Sequence, residues 1–308
     1  MSVLADAVTD YLTARRALGF KLERHDRFLG ELIGGLDAAG TTVLTVDDMV
    51  AWATTPADAD PYWWAARLSV ARGFARWWSA FDPATEVPGP DVLPVTGGPR
   101  RADPYPFTDD DIAALMGAAR TLASPWRAMT YETFIGLLAV TGMRVGEAIR
   151  LDRCDFDPHE RTLTIRDTKF AKTRLAPLDS TTVEVLTAYD QRRQHLRPRP
   201  STPALFVSTT GTRLIYQNVH LTWFELCRQT GLEPLSARCR PRPHDLRHRF
   251  AITTLIEWHR DGENIHARLP DLSTYLGHIG PSSTYWYLRA VPELLALAAT
   301  HLEPQARP

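Results

Sequence analysis

The chain has 308 residues, 35 Lys and Arg against 36 Asp and Glu, and 44% hydrophobic residues, values that exclude a disordered or fibrous protein and allow two globular domains. No apolar run approaches the ~20 residues of a membrane span and the N-terminus lacks a basic-then-apolar signal pattern, so no membrane partner is expected. Three scattered cysteines, Cys154, Cys227 and Cys239, form neither a disulfide framework nor a metal-ligand spacing, and point to a reducing cytoplasm.

The net charge of −1 conceals an asymmetry. Residues 1–100 hold 9 basic against 13 acidic residues, whereas residues 101–308 hold 26 against 23. In the second part the basic residues are bunched at 161–174, 192–199 and 238–249. A local basic surface of this kind can bind DNA although the chain as a whole is neutral.

Taken in order, residues 2–39 read as two helices broken near Gly19-Phe20. Thr45 is the N-cap of a third. A fourth covers 61–81, with Trp63, Ala66, Val70, Phe74, Trp77 and Phe81 at helical spacing, a core pattern. Arg72 and Arg76 share a face of that helix and are candidate contacts to a DNA backbone, a solvated face being the plain alternative. Seven prolines between Asp82 and Pro106, without apolar periodicity, predict an extended linker over 83–106. It separates a helical domain (1–82) from a larger one (107–308).

The second domain opens at Thr108-Asp-Asp-Asp111, an N-cap with acids in the first turn. An apolar helix over 126–141 stops at Gly142, and another starts near Arg144, which shares a face with Glu147. The period then changes to that of strands at 162–166 and 174–178, with Lys169 and Lys172 between them. Helices follow at 181–194, 216–230 and 243–258, with the short apolar piece Leu205-Phe-Val207 between the first two. A short helix over Asp271–Leu276 ends at Gly277, directly before His278. Residues 281–289 and 292–302 complete a mainly α fold with one small β-hairpin.

Two local features suggest chemistry. Pro243 suits the first turn of a helix, so His244 should open one and share a face with Arg247, beside unpaired N–H groups at the positive end of the dipole. That is a place for a phosphate, with Arg240 and Arg242 as further candidate DNA contacts. Only three of the basic residues are lysine: Lys21, Lys169 and Lys172. Arginine cannot release a proton near neutral pH and lysine can, so the pair at 169 and 172 marks a candidate general acid. Two solvated hairpin lysines are the alternative.

Four pieces of the second domain thus carry unusual polar residues: Arg144 with Glu147, the lysine hairpin, His244 with Arg247, and Leu276-Gly-His278 followed by Tyr287. Arginines and histidines suit the non-bridging oxygens of a phosphodiester. A lysine suits proton delivery to a leaving oxygen, and a tyrosine suits nucleophilic attack. The set describes phosphoryl transfer with no evident need of metal or other cofactor.

Thr141-Gly-Met-Arg-Val-Gly-Glu147 with Ile149-Arg-Leu151 resembles the first arginine motif of the tyrosine recombinases (phage-integrase family). His244-Asp-Leu-Arg247 is similar to that family's His-x-x-Arg motif, Leu276-Gly-His278 with Tyr287 to its C-terminal box, and Lys169 with Pro177-Leu178 to its lysine-bearing β-turn. The resemblance covers residues 105–290. It implies a helical core-binding (SAM-like) domain that clamps DNA, followed by a catalytic domain. It further implies attack by Tyr287 on the scissile phosphate, leaving a 3′-phosphotyrosyl link and a free 5′-hydroxyl. Arg144, Arg247 and His278 would hold the phosphate, Lys169 would protonate the departing oxygen, His244 would assist, and Glu147 would hold its neighbours in place. The implied partners are double-stranded DNA with inverted-repeat half-sites and a homo-tetramer on two duplexes, joined by exchange of the helix at 292–302. The location would be the bacterial cytoplasm, at the nucleoid.

Rival readings attach to single residues. His244 and His248 invite a zinc site of the His-Glu-x-x-His kind, but Asp245 stands where that motif needs a glutamate. Spacing from His278 favours Tyr287 over Tyr285, and distance to Pro177 favours Lys169 over Lys172. Lys172 and Arg174 are then candidate DNA contacts. A type IB topoisomerase-like enzyme or a catalytically silent DNA-binding regulator are the rivals at the level of function.

Overall fold

The computed structural model describes residues 2–20, 22–55, 57–93, 102–166, 173–196 and 201–277. The chain divides into two compact units, Met1–Arg101 and Ala102–Pro308.

The first unit is built from α1 (Val3–Ala17), α2 (Glu23–Ala38), α3 (Val46–Thr54) and α4 (Pro61–Trp78). Side chains of Ser2, Thr45 and Asp60 accept hydrogen bonds from first-turn N–H groups, which fixes where α1, α3 and α4 begin. Leu12, Phe28, Leu29, Leu32, Leu44, Met49 and Phe74 form its core. The fourth helix ends earlier than its apolar pattern predicts. Asp82 bonds the Ala84 N–H and the Thr85 hydroxyl, and Pro83 disfavours a helical residue before it. Phe81 therefore leaves the core, is 63% exposed, and lies against the Trp77 and Trp78 rings.

Of the proline-rich stretch expected as a linker over 83–106, the described residues at one end bond within the first unit and those at the other within the second. Glu86 receives the Val46 N–H on its carboxylate and donates its own N–H to Leu44 O. Arg72 donates Nε to Pro88 O and Nη2 to Gly89 O, both at 2.9 Å. At the other end Asp103 N–H bonds Arg238 O, while Tyr105 and Phe107 enter the second core.

The second unit is organised around α6 (Pro125–Thr141), which follows α5 (Asp109–Arg120). Twelve α6 residues are buried, from Trp126 to Thr141, so it is apolar on nearly all sides. It packs against α5, against α8 (Ser180–Leu196) and against α10 (Asp245–Arg260). After it come α7 (Val145–Arg150), a 3-10 turn at Arg153–Asp155, and strands β1 (Phe156–Asp157), β2 (Thr162–Ile165) and β3 (Arg174–Pro177). The strands form one antiparallel sheet in chain order, with Thr162 opposite Pro177 and Ile165 opposite Arg174. The alternation buries Leu163, Ile165 and Ala176.

Two further helices complete the described part, α9 (Tyr216–Thr230) and α11 (Ile265–Leu276). The last is twice as long as the short helix expected over Asp271–Leu276. It starts under an Asn264 cap and contains Pro270 within its length. Pro270 removes one intrahelical bond, and burial of Leu269, Leu272 and Leu276 against Ala251 and Leu255 of α10 outweighs it at about 1.5–3 kcal/mol per side chain. Residues 281–289 and 292–302, expected as helices, lie outside the described residues.

Candidate active site

Two helices end in glycine near the residues singled out by sequence. Gly142 caps α6 at φ 58°, and Gly277 caps α11 at φ 66°. Both are left-handed conformations that glycine adopts without a Cβ penalty. A Cβ on Gly142 would stand 2.5 Å from Cδ1 of Phe250, so the backbone there touches an aromatic ring.

Arg144 stands at the N-cap of α7. Its N–H donates to Oε2 of Glu147 at 2.9 Å and its Nη1 to Oε1 at 2.6 Å. The remaining arm, Nη2, donates to Gly277 O at 3.2 Å. Arg247 is buried on the first turns of α10, donating Nη1 to Gly142 O at 2.9 Å and Nη2 to Leu276 O at 2.6 Å. The two arginines, far apart in sequence, thus converge on consecutive carbonyls at the end of α11. Those carbonyls belong to the last helical turn, which has no intrahelical donors and carries the negative end of the dipole.

A third guanidinium joins them. Arg174, at the start of β3, donates Nε to Tyr275 O at 2.7 Å. Its Nη1 and Nη2 donate to Oε1 and Oε2 of Glu147 at 3.1 and 2.8 Å. Tyr275, Leu276 and Gly277 therefore each give a carbonyl to a different arginine. Arg174, a candidate DNA contact by sequence, has a side chain only 12% exposed that is instead committed to Glu147 and α11. The contact with Tyr275 of α11 spans 101 positions in sequence, and no local pattern signals it. What sequence does carry is an arginine placed where the sheet's alternation turns it towards α11.

Glu147 is the hub. Burial alone would raise its carboxyl, but the Arg174 hydrogen bonds and charge, with the Arg144 N–H and guanidinium, prevail and hold it at about 2. It is ionised at neutral pH, and its two oxygens accept four hydrogen bonds. Among the described residues the cluster holds three guanidiniums and this one carboxylate.

The helix start at 243 differs from expectation. His244 is the N-cap of α10 in a helical conformation, and the N–H groups of Asp245 and Arg247 already bond the carbonyls of Arg242 and His244. The anion at this start is Asp245 itself, fully buried, accepting the Arg242 N–H, Nε and Nη2. Burial pushes its carboxyl above the ordinary value despite those bonds. Arg242, read as a DNA contact, is the partner of that buried acid. In the sequence Asp245 stands out only as the wrong residue for a zinc motif. His244 is exposed at the surface, its ring 5.0 Å from that of His248, which is buried.

Of the other candidates, Arg240 is exposed on the loop before α10, Arg76 is exposed on α4, and Arg72 is engaged with Pro88 and Gly89. Lys169, Lys172, His278 and Tyr287 lie outside the described residues. His278 follows Gly277, the last residue of the arginine-bound turn, directly in the sequence.

Residues 106–293 match the model of the phage integrase family. A protein described as a putative integrase/recombinase, y4rB of Sinorhizobium fredii, is 41% identical over 98% of both chains. Tyrosine recombinase XerD of Mycobacterium tuberculosis is 31% identical, over 79% of this chain and 75% of its own. Among solved structures, the Tn1549 transposon integrase bound to transposon right end DNA superposes with a TM-score of 0.65, covering 98% of this chain and 99% of its own at 15% identity, which speaks to fold. Family match, relatives and arginine motifs coincide on the same residues, and the chain belongs to the phage integrase family of tyrosine recombinases.

Proposed function

We propose that the protein is a site-specific DNA recombinase that cuts and rejoins strands through Tyr287. The observation that carries the reading is the convergence of Arg144 and Arg247 on the turn that leads into His278. Two guanidiniums fixed at one place suit the two non-bridging oxygens of a phosphodiester and the negative charge that grows on them during attack. In the proposed step the Tyr287 hydroxyl passes its proton to His244 as its oxygen bonds to phosphorus, the bond from phosphorus to the 5′-oxygen breaks, and Lys169 gives that oxygen a proton. The products are a 3′-phosphotyrosine and a 5′-hydroxyl. Attack of a partner strand's hydroxyl on the phosphotyrosine restores the diester, so bond energy is conserved. Glu147 orients Arg144, and His278 assists at the phosphate. Arg76, Arg240 and Lys172 are the candidate contacts to the DNA backbone. Assembly as a tetramer on two duplexes with inverted half-sites, joined by residues 292–302, is the working arrangement.

The test uses a randomised duplex pool nicked within the variable region, so that the short strand released on cleavage diffuses away and the adduct accumulates. The expected result is a protease-sensitive protein–DNA adduct that Tyr287→Phe abolishes. An adduct that persists in that variant moves the nucleophile elsewhere, Tyr285 being the nearest candidate. Plasmid relaxation without strand exchange assigns the chain to topoisomerase chemistry.

A further inference from the structure

The family motifs account for Arg144, Glu147 and Arg247 but leave Arg174 without a role. We infer that Arg174 is a positioning residue for strand transfer: it locks Glu147, and through it Arg144, onto the last turn of α11. The inference rests on the proposed reaction and on contacts independent of it.

The geometry is that of a fork with all three kinds of donor engaged. Nη1 and Nη2 take both oxygens of Glu147, and Nε takes Tyr275 O. A planar guanidinium can meet these three acceptors at once; an ammonium cannot. Glu147 cannot orient Arg144 unless its own two oxygens are fixed, and within the described residues the side chain that fixes both is Arg174. The same guanidinium lies against Gly277, where a Cβ would stand 3.1 Å from Nη1. Arg174 therefore touches the hub of the cluster, the carbonyl turn that Arg144 and Arg247 bind, and the residue that precedes His278. It also opens β3, two residues after Lys172 in the sequence. One side chain ties β3, which follows the lysine segment in the sequence, to the helix end that precedes the histidine. A DNA-backbone role would require it to leave Glu147, stranding a buried carboxylate with half its partners.

The test compares Arg174→Met, Arg174→Lys, Glu147→Gln and the Arg174→Met/Glu147→Gln double variant in the full chain. The probe is nicked duplex already selected from the random pool by the wild type. Expected for Arg174→Met is a fall of about 100-fold in adduct formation at saturating protein, with DNA affinity and its salt dependence unchanged. Arg174→Lys should remain about 10-fold slow, and the double variant should be no slower than the slower single one, because both act through one contact. An unchanged saturating rate with a salt slope reduced by about one makes Arg174 a phosphate contact and overturns the inference. Additive losses in the double variant do the same. Loss of cooperative unfolding in Arg174→Met leaves Arg174→Lys to decide. Absence of any wild-type adduct sinks the proposed reaction, and Arg174 is then judged by 13C titration of Glu147. That carboxyl should rise from about 2 in Arg174→Lys, and a titration unchanged from the wild type removes the fork.

Discussion

The ends of α6 and α11 solve the same problem with different neighbours. Each finishes at a left-handed glycine, and each glycine gives its carbonyl to an arginine of the site. At Gly142 the space a Cβ would need is filled by the Phe250 ring at 2.5 Å; at Gly277 it is filled by the end of Arg174 at 3.1 Å. An aromatic ring fixed between two helices cannot give way, whereas a guanidinium can swing at the expense of its hydrogen bonds. The first glycine is therefore a packing requirement. The second is an electrostatic one, and damage there should appear in catalysis before it appears in stability.

The comparison can be broken first at α6. Gly142→Ala combines a left-handed alanine with a contact too close to survive, and should destabilise the second unit by about 4 kcal/mol in urea denaturation. Adding Phe250→Leu should restore part of that loss, a non-additivity expected only if the ring is the obstacle.

Next comes the charge behind the α11 end. Glu147 has a folded-state pKa of about 2 against an ordinary 4.5, so its contribution is complete above the ordinary value and is lost as pH falls towards 2. The shift corresponds to about 3 kcal/mol. Denaturation of the wild type and of Glu147→Gln across pH 2 to 6 should show the difference between them shrinking as acid is added. A constant difference would mean that the carboxylate is not held by the two arginines.

The smallest effect on stability is expected at α11. Gly277→Ala should cost about 2 kcal/mol, since Arg174 can move aside. Its adduct formation should nevertheless fall more than that of Gly142→Ala at a temperature where both variants remain folded. Equal losses in both would erase the distinction between the two glycines.

Much of this was legible beforehand because it is local. Helix caps at Thr45 and Thr108, the alternation at 162–165, and glycine stops at 142 and 277 depend on a few consecutive residues. The motifs around Arg144 and Arg247 are likewise short. What sequence did not yield was tertiary. Pro270 reads as a boundary, yet three leucines bury α11 past it. Phe81 continues an apolar period but follows a helix already ended by Asp82 and Pro83. Arg72 and Arg174 look like free cations suited to DNA; the fold supplies each with acceptors, main-chain carbonyls for one and Glu147 with Tyr275 O for the other. The helix start at 243 reads as open to phosphate from its unpaired N–H groups and dipole, whereas the Asp245 carboxylate folds back onto Arg242 there.

Arg174 lies opposite Ile165 in the pairing of β2 with β3. Because side chains alternate between the two faces of a sheet, a slip of one residue in that pairing would exchange Arg174 with a neighbour facing the other way. The buried Leu163, Ile165 and Ala176 resist such a slip, since it would turn apolar side chains into solvent. Three hydrophobic residues that touch no reacting atom thereby act as a register lock, and the fidelity with which a small sheet counts its residues sets the aim of the arginine that opens its last strand.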